Sequence, residues 1–257
     1  MNPADKVAVV TGGASGLGLA TVRALASAGS RIAAFDVNQE RLGALNEELR
    51  EGCLGLVVDV TDEQAISAAL SKVVDRFGSI DIAVNCAGVE GAAKTVSKGK
   101  AFPLDIWNKV IGVNLTGSFN VIRLAALHMA KNTPEGTAEE RGVIINTASG
   151  AATQGQIGQA AYSASKAGLI GLTLPVARDL APLGIRVVTI SPGVFATPML
   201  LELPGKVVNS LVENTILFPN RMGDPAEFGS LVRQIVENAY FNATTIDLDG
   251  GARMTAR

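Results

Sequence analysis

KVAVVTGGASGLG, residues 6–18, runs from strand-like residues straight into a glycine-rich loop. Residues 6–11 are apolar and β-branched, while GLATVRALASAG (18–29) spaces its apolar residues as a helix does, so TGGASGLG (11–18) joins a strand to a helix. Gly12, Gly16 and Gly18 stand in the spacing G-x-x-x-G-x-G. Glycines permit a tight turn and close backbone approach, and a helix start offers free N–H groups, a combination suited to a pyrophosphate. Such loops also arise for purely structural reasons, so this one alone leaves nucleotide binding open.

Downstream, short β-branched runs alternate with helical patterns. Strands are expected at RIAAFD (31–36), LGLVVDV (54–60), IDIAVN (80–85), RGVIINTAS (141–149), GIRVVTISPG (184–193) and TTIDLDGG (244–251). Helices are expected at 38–49, at 62–78 opening on Asp62, over 105–130 and at 160–181, with another starting at Asp224-Pro225-Ala226-Glu227, a capping-box sequence. Continuous apolar strands alternating with helices predict a parallel sheet covered on both faces. The fold class is α/β, a single-domain Rossmann-like doubly wound sheet spanning 1–257, with no linker or repeat to divide it.

Asp36 ends the second strand, about 20 residues past the loop, where a carboxylate accepts hydrogen bonds from the adenosine ribose. A 2′-phosphate there would face its negative charge, and Arg41 lies a turn further on, so the cofactor expected is NAD rather than NADP. Asp59-Val60, expected to end strand three, suits hydrogen bonding to the adenine. In Asn85-Cys86-Ala87-Gly88, after strand four, small residues let a cofactor lie against the backbone.

In AAYSASKAGL (160–169), Tyr162 and Lys166 are four apart and share one helix face. A free phenol has a pKa of about 10. A nearby ammonium lowers it toward the range useful for acid–base catalysis. Ser149, at the expected end of strand five, is placed to hold a carbonyl oxygen beside the phenol. By spacing alone such a Tyr–Lys pair is usually chance; following a strand-end Ser in a dinucleotide-binding pattern, it points to catalysis.

The totals exclude several classes. A formal charge of −2 carries no polybasic signal, which argues against nucleic acid and anionic membrane as partners. No apolar run approaches the roughly 20 residues of a membrane span. Cys53 and Cys86 are too few and too isolated for a disulfide framework or zinc site, so no metal is expected. Two reduced thiols and no leader-like start make cytoplasm the default. The single histidine, His128, lies far from every strand-end motif and is expected to be packed or partly exposed.

With these motifs in order (TGGASGLG, Asp36, DV at 59–60, NCAG at 85–88, Asn114, Ser149, YSASK at 162–166 and SPG at 191–193), the chain resembles the short-chain dehydrogenase/reductase family over essentially its whole length. The resemblance implies Tyr162 as acid/base, Lys166 on the nicotinamide ribose, Ser149 on the substrate oxygen and Asn114 holding a water of a proton relay. It also implies cofactor contacts from Gly12, Ser15, Gly16, Leu17, Gly18, Asp36, Asp59, Val60, Cys86, Ala87, Gly88, Phe195 and Thr197. Longer stretches, among them NVIRL (120–124), GQIGQAAYSASKAG (155–168) and FPNRMGDPAEF (218–228), are similar to the subgroup of type II 3-hydroxyacyl-CoA dehydrogenases. That implies an acyl-CoA substrate and a homotetramer with 112–130 and 160–181 at an interface. KTVSKGK (94–100) falls where the subgroup carries an insertion, and its lysines either meet CoA phosphates or are simply solvated. Segment 194–219 is apolar enough for a lid over an acyl chain. Steroids or other secondary alcohols stay open as substrates, as does a non-catalytic NAD-binding scaffold.

Overall fold

The computed structural model describes the chain apart from residues 202–204, 206–211 and 257. Most of the expected lid falls in or beside that span, and its closure lies outside the described residues. The strands are β1 (Val7–Thr11), β2 (Arg31–Asp36), β3 (Cys53–Val57), β4 (Ile82–Asn85), β5 (Val96–Ser97), β6 (Lys100–Ala101), β7 (Gly142–Thr147), β8 (Ile185–Pro192) and β9 (Thr244–Leu248). Among the described residues, seven of them form a parallel sheet in the order β3-β2-β1-β4-β7-β8-β9, and β5 pairs with β6 in a small antiparallel hairpin.

The period-two alternation of β1 assigns the two faces. Val7 and Val9 pack with Ile66, Leu70 and Val73 of helix Glu63–Phe77 and with Val121, Ile122 and Ala125 of helix Ser118–Met129. Ala8 and Val10 pack on the other side with Val22 and Leu25 of helix Gly16–Ser27 and with Phe228, Val232 and Ile235 of helix Pro225–Glu237. Burial on both faces explains why these strands read as unbroken apolar runs. The stretch Leu104–Met129 is long and apolar enough to cross a membrane by length and composition; Val110, Val121 and Met129 are buried within the fold, while Leu104, Phe119 and Leu127 are exposed.

The chain builds outward from β1 to β3, then returns beside β1 to begin β4. Ligands of open parallel sheets bind at the carboxyl ends of the strands where the order reverses, which here is the crevice between β1 and β4. Two expected boundaries shift. β3 ends at Val57, because Asp59 turns the chain by accepting from the Thr61 amide and hydroxyl at 2.9 and 2.8 Å. β7 ends at Thr147, two residues before Ser149. The capping box at Asp224 forms as expected, with Asp224 accepting from Ala226 N at 2.9 Å and Glu227 from Asp224 N at 2.8 Å.

Helix Pro225–Glu237 crosses helix Gly16–Ser27 at Gly229, where an added Cβ would sit 2.6 Å from the Ala20 carbonyl oxygen. Gly229→Ala should therefore cost about 1–3 kcal/mol by forcing the helices apart, measured by urea unfolding.

Candidate active site

The glycine loop leaves β1 with Gly12 at a φ of +62°, in the left-handed region, and a Cβ there would lie 3.0 Å from the Ala87 backbone. A Cβ on Gly18 would sit 2.1 Å from the Gly12 carbonyl oxygen, so helix Gly16–Ser27 starts pressed onto the loop. Ser15 is extended and makes no capping bond. The N–H groups of the first turn, with Gly16 and Leu17 at its head, thus face the crevice without a side-chain acceptor. Thr197 covers them from the other side, its methyl 3.5 Å from the Cβ position of Gly16. Phe195 anchors that cover through a bridge to Gly223 and an edge contact with Phe228.

Asp36 ends β2 facing the loop. Its two oxygens accept from Ala14 N at 3.1 Å and Asn38 N at 3.0 Å. Each carboxylate oxygen retains a lone pair for a further donor. Val60, expected at the adenine, has its side chain in the core against Gly117, so only its backbone faces outward. Asp59 likewise spends one oxygen on its own turn.

Beyond β4, Thr11 pins the next loop: its hydroxyl accepts from Cys86 N at 3.2 Å and Ala87 N at 3.1 Å. Gly88 then leaves a recess. A Cβ there would stand 3.4 Å from Asn114 Oδ1 and 3.6 Å from Lys166 Nζ, so glycine keeps open the space in front of both. Asn114 lies fully buried in the π-helical turn Gly112–Gly117, a type of distortion frequent at functional sites. Its side chain accepts from Val89 N at 2.8 Å and donates to Val89 O and to Ser165 Oγ, clamping this loop to helix Ala160–Leu180. The glycine loop, Asp36 and the recess together fit a dinucleotide.

Tyr162 and Lys166 lie near the start of that helix, the ammonium 5.6 Å from the centre of the phenol ring. Lys166 Nζ donates to the Thr147 carbonyl at 2.7 Å and is almost wholly buried. Burial lowers its pKa to about 8, against the opposing effects of Cys86 and Glu90. The phenol differs from expectation. Burial, then the negative charge of Glu90, push Tyr162 up to about 12, while its hydrogen bond with Ser149 pulls the other way. A phenol raised in this way by burial and by Glu90 is neutral at neutral pH. Ser149 also accepts from Ala151 N at 3.1 Å. The Cys86 thiol is pushed up by its burial.

The structure thus gathers Asn114, Ser149, Tyr162 and Lys166 around the recess at Gly88. Sequence reading missed Thr11, Thr147 and Glu90. Thr147 acts through its backbone, which leaves no side-chain signal, whereas Glu90, directly after NCAGV, was visible as a lone acid. His128 lies away from the cluster on helix Ser118–Met129, its pKa lowered by partial burial and by Lys131.

This sheet order and cluster define a dehydrogenase of the dinucleotide-binding kind. Residues 6–206 match the short chain dehydrogenase family, and the chain belongs to it. Over 250 residues it is 53% identical to 3-hydroxyacyl-CoA dehydrogenase type-2 of Mus musculus and 51% identical to that of Homo sapiens, across 96% of this chain and 95% of each relative. The crystal structure of 3-hydroxyacyl-CoA dehydrogenase type-2 from Mycobacterium avium matches with a TM-score of 0.94 at 38% identity, covering 98% of this chain and 97% of that one.

Glu90 disfavours the phenolate and favours the ammonium, so Glu90→Gln should lower the pKa of both Tyr162 and Lys166. A protonated phenol is then lost at lower pH as pH rises. The alkaline limb of reductive turnover should move to lower pH, read from kcat/KM against pH.

Proposed function

We propose that the chain interconverts (S)-3-hydroxyacyl-CoA and 3-oxoacyl-CoA thioesters with NAD as redox partner, as a single domain. The observation that carries this is the meeting of Ser149, Tyr162 and Lys166 in front of the Gly88 recess, beside a glycine loop that ends its groove on Asp36. The substrate class follows the named relatives.

Bound NAD supplies the acceptor for the hydride that leaves carbon 3. The chain's residues handle binding and the proton. Ser149 donates to the substrate oxygen, and Tyr162 takes the hydroxyl proton in oxidation and returns it in reduction. An ammonium has three N–H donors; one holds Thr147, and the others serve the nicotinamide ribose. Asn114 keeps Val89 and Ser165 in place, and its main-chain carbonyl, already accepting from Ser118 at 2.8 Å, has a lone pair left for a relay water. Gly12, Ser15, Gly16, Leu17 and Gly18 take the pyrophosphate. Asp36 takes the adenosine ribose, and Asp59 with the Val60 backbone the adenine. Cys86, Ala87 and Gly88 would form the floor beneath the cofactor, and Thr197 with the Phe195 backbone would hold its nicotinamide.

Lys94, Lys98 and Lys100 are exposed on and before the β5–β6 hairpin, which is tied to the wall after Ser149 by Ala93 N donating to Gly158 O at 3.0 Å. That location supports their meeting the CoA phosphates at the mouth of the site. An apolar groove of about 230 Å³ lined by Phe119, Ile122, Leu127, Val176, Leu180 and Leu183 supports subunit packing in a homotetramer. We assign the protein to the cytoplasm on its two free thiols.

Acetoacetyl-CoA should be reduced rapidly with NADH and poorly with NADPH; preference for NADPH would contradict the role of Asp36. Tyr162→Phe should lower kcat by about 100-fold or more while NADH affinity, measured by fluorescence titration, changes little. Lys98→Ala with Lys100→Ala should raise KM for acetoacetyl-CoA and weaken its salt dependence, with no change for a short thioester lacking phosphates.

A further inference from the structure

The connection from Ser149 to Tyr162 forms one wall of the site, and it is gripped from outside by the C-terminal segment. Gln154 Oε1 accepts from Met254 N at 2.9 Å, Gln156 Nε2 donates to Thr255 O at 3.1 Å, and Ile157 N donates to Ala256 O at 3.1 Å. Gly155, between the two glutamines, lies against the residue after the catalytic tyrosine: a Cβ there would fall 2.2 Å from Ser163 Oγ. A displacement at Gln154–Gln156 is therefore passed directly to the start of the helix carrying Tyr162. The other end of the segment is held on the opposite side of the site. Arg253 N donates to Thr215 O at 2.9 Å, and Ala252 is buried with Val194 and Ile216.

We propose that Gln154 and Gln156 are positioning residues for the acyl substrate, acting by fastening the wall 151–159 to the segment 252–256, which ties it to the 212–216 side. This deepens the acyl-CoA reading and rests on it. Neither glutamine bonds to the groups placed at the dinucleotide, so the main effect falls on the wall that faces the acyl substrate, with a smaller one passed through Ser163 to the helix of Tyr162. The two amides use opposite chemistry. Gln154 serves as an acceptor, which a glutamate reproduces. Gln156 serves as a donor to a carbonyl, which a glutamate at neutral pH lacks.

The test uses the full chain in four variants: Gln154→Ala, Gln154→Glu, Gln156→Ala and Gln156→Glu. KM and kcat for acetoacetyl-CoA, NADH affinity, and hydrogen exchange of residues 151–159 in the NADH-bound protein are measured. Both alanine variants and Gln156→Glu should raise KM roughly five-fold or more, with a smaller change in kcat, unchanged NADH affinity and faster exchange in 151–159. Gln154→Glu should stay near the wild type. Unchanged KM in active alanine variants, or equal loss in both glutamate variants, would overturn the proposal. If the wild type fails on acetoacetyl-CoA, the acyl-CoA reading falls. The exchange data then decide the fastening separately: unchanged exchange in the alanine variants refutes it, and faster exchange that Gln154→Glu prevents supports it.

Discussion

The site depends on one buried ammonium. Lys166 is taken out of water beneath the floor of the crevice and held by a single backbone carbonyl, that of Thr147, at 2.7 Å. Burying a charge costs several kcal/mol unless hydrogen bonds compensate, and that cost appears as the drop in its pKa to about 8. The carbonyl is available because β4 ends at Asn85, opposite Asn146, while pairing with β8 continues as far as Thr147 opposite Ile190. Its height is fixed in turn by the register of β7 with β4 and β8, where Asn146 lies opposite Asn85 and Thr189. The buried Asn85–Asn146 side-chain bond at 2.9 Å ties the same strand ends together.

From that anchor the rest is constrained. Helical spacing brings Tyr162 over the ammonium. At Gly88 a Cβ would already touch Asn114 and Lys166, at 3.4 and 3.6 Å, so a larger side chain would fill the space in front of them. The π-helical turn keeps Asn114 in reach of both Val89 and Ser165, so the loop after β4 is bonded to the helix that carries Tyr162. On the other side of the crevice, the Asp36 carboxylate accepts from the glycine loop at Ala14 N, and the Thr197 methyl covers Gly16. That arrangement favours a flat, extended ligand laid across the strand ends.

The strand pattern and the doubly wound arrangement were legible because buried parallel strands leave unbroken apolar runs, and the capping box at Asp224 was legible because its chemistry is local. The glycine loop, Asp36 and the loop after β4 were legible as strand-end motifs, Tyr162 with Lys166 by helical spacing, and Asn114, Phe195 and Thr197 only through the family resemblance. Three features were not. The early end of β3 follows from Asp59 bonding its own turn, although the apolar run continues through Val58. The tyrosine's pKa depends on burial and on Glu90, which helix spacing does not report. The β5–β6 hairpin within 94–101 arises from local pairing of residues that read only as a basic loop.

The proposed role of Tyr162 as the proton-exchanging group requires a phenol that is neutral in the free protein and ionises more readily beside bound NAD. In a Tyr240→Phe variant, Tyr162 is the remaining tyrosine, and its ionisation can be followed by ultraviolet absorbance with and without NAD. Positive charge beside a phenol lowers its pKa, and oxidised nicotinamide carries one. The free protein should give an ionisation midpoint of about pH 12, and the NAD-bound protein a lower one. The same titration curve in both states would contradict that role.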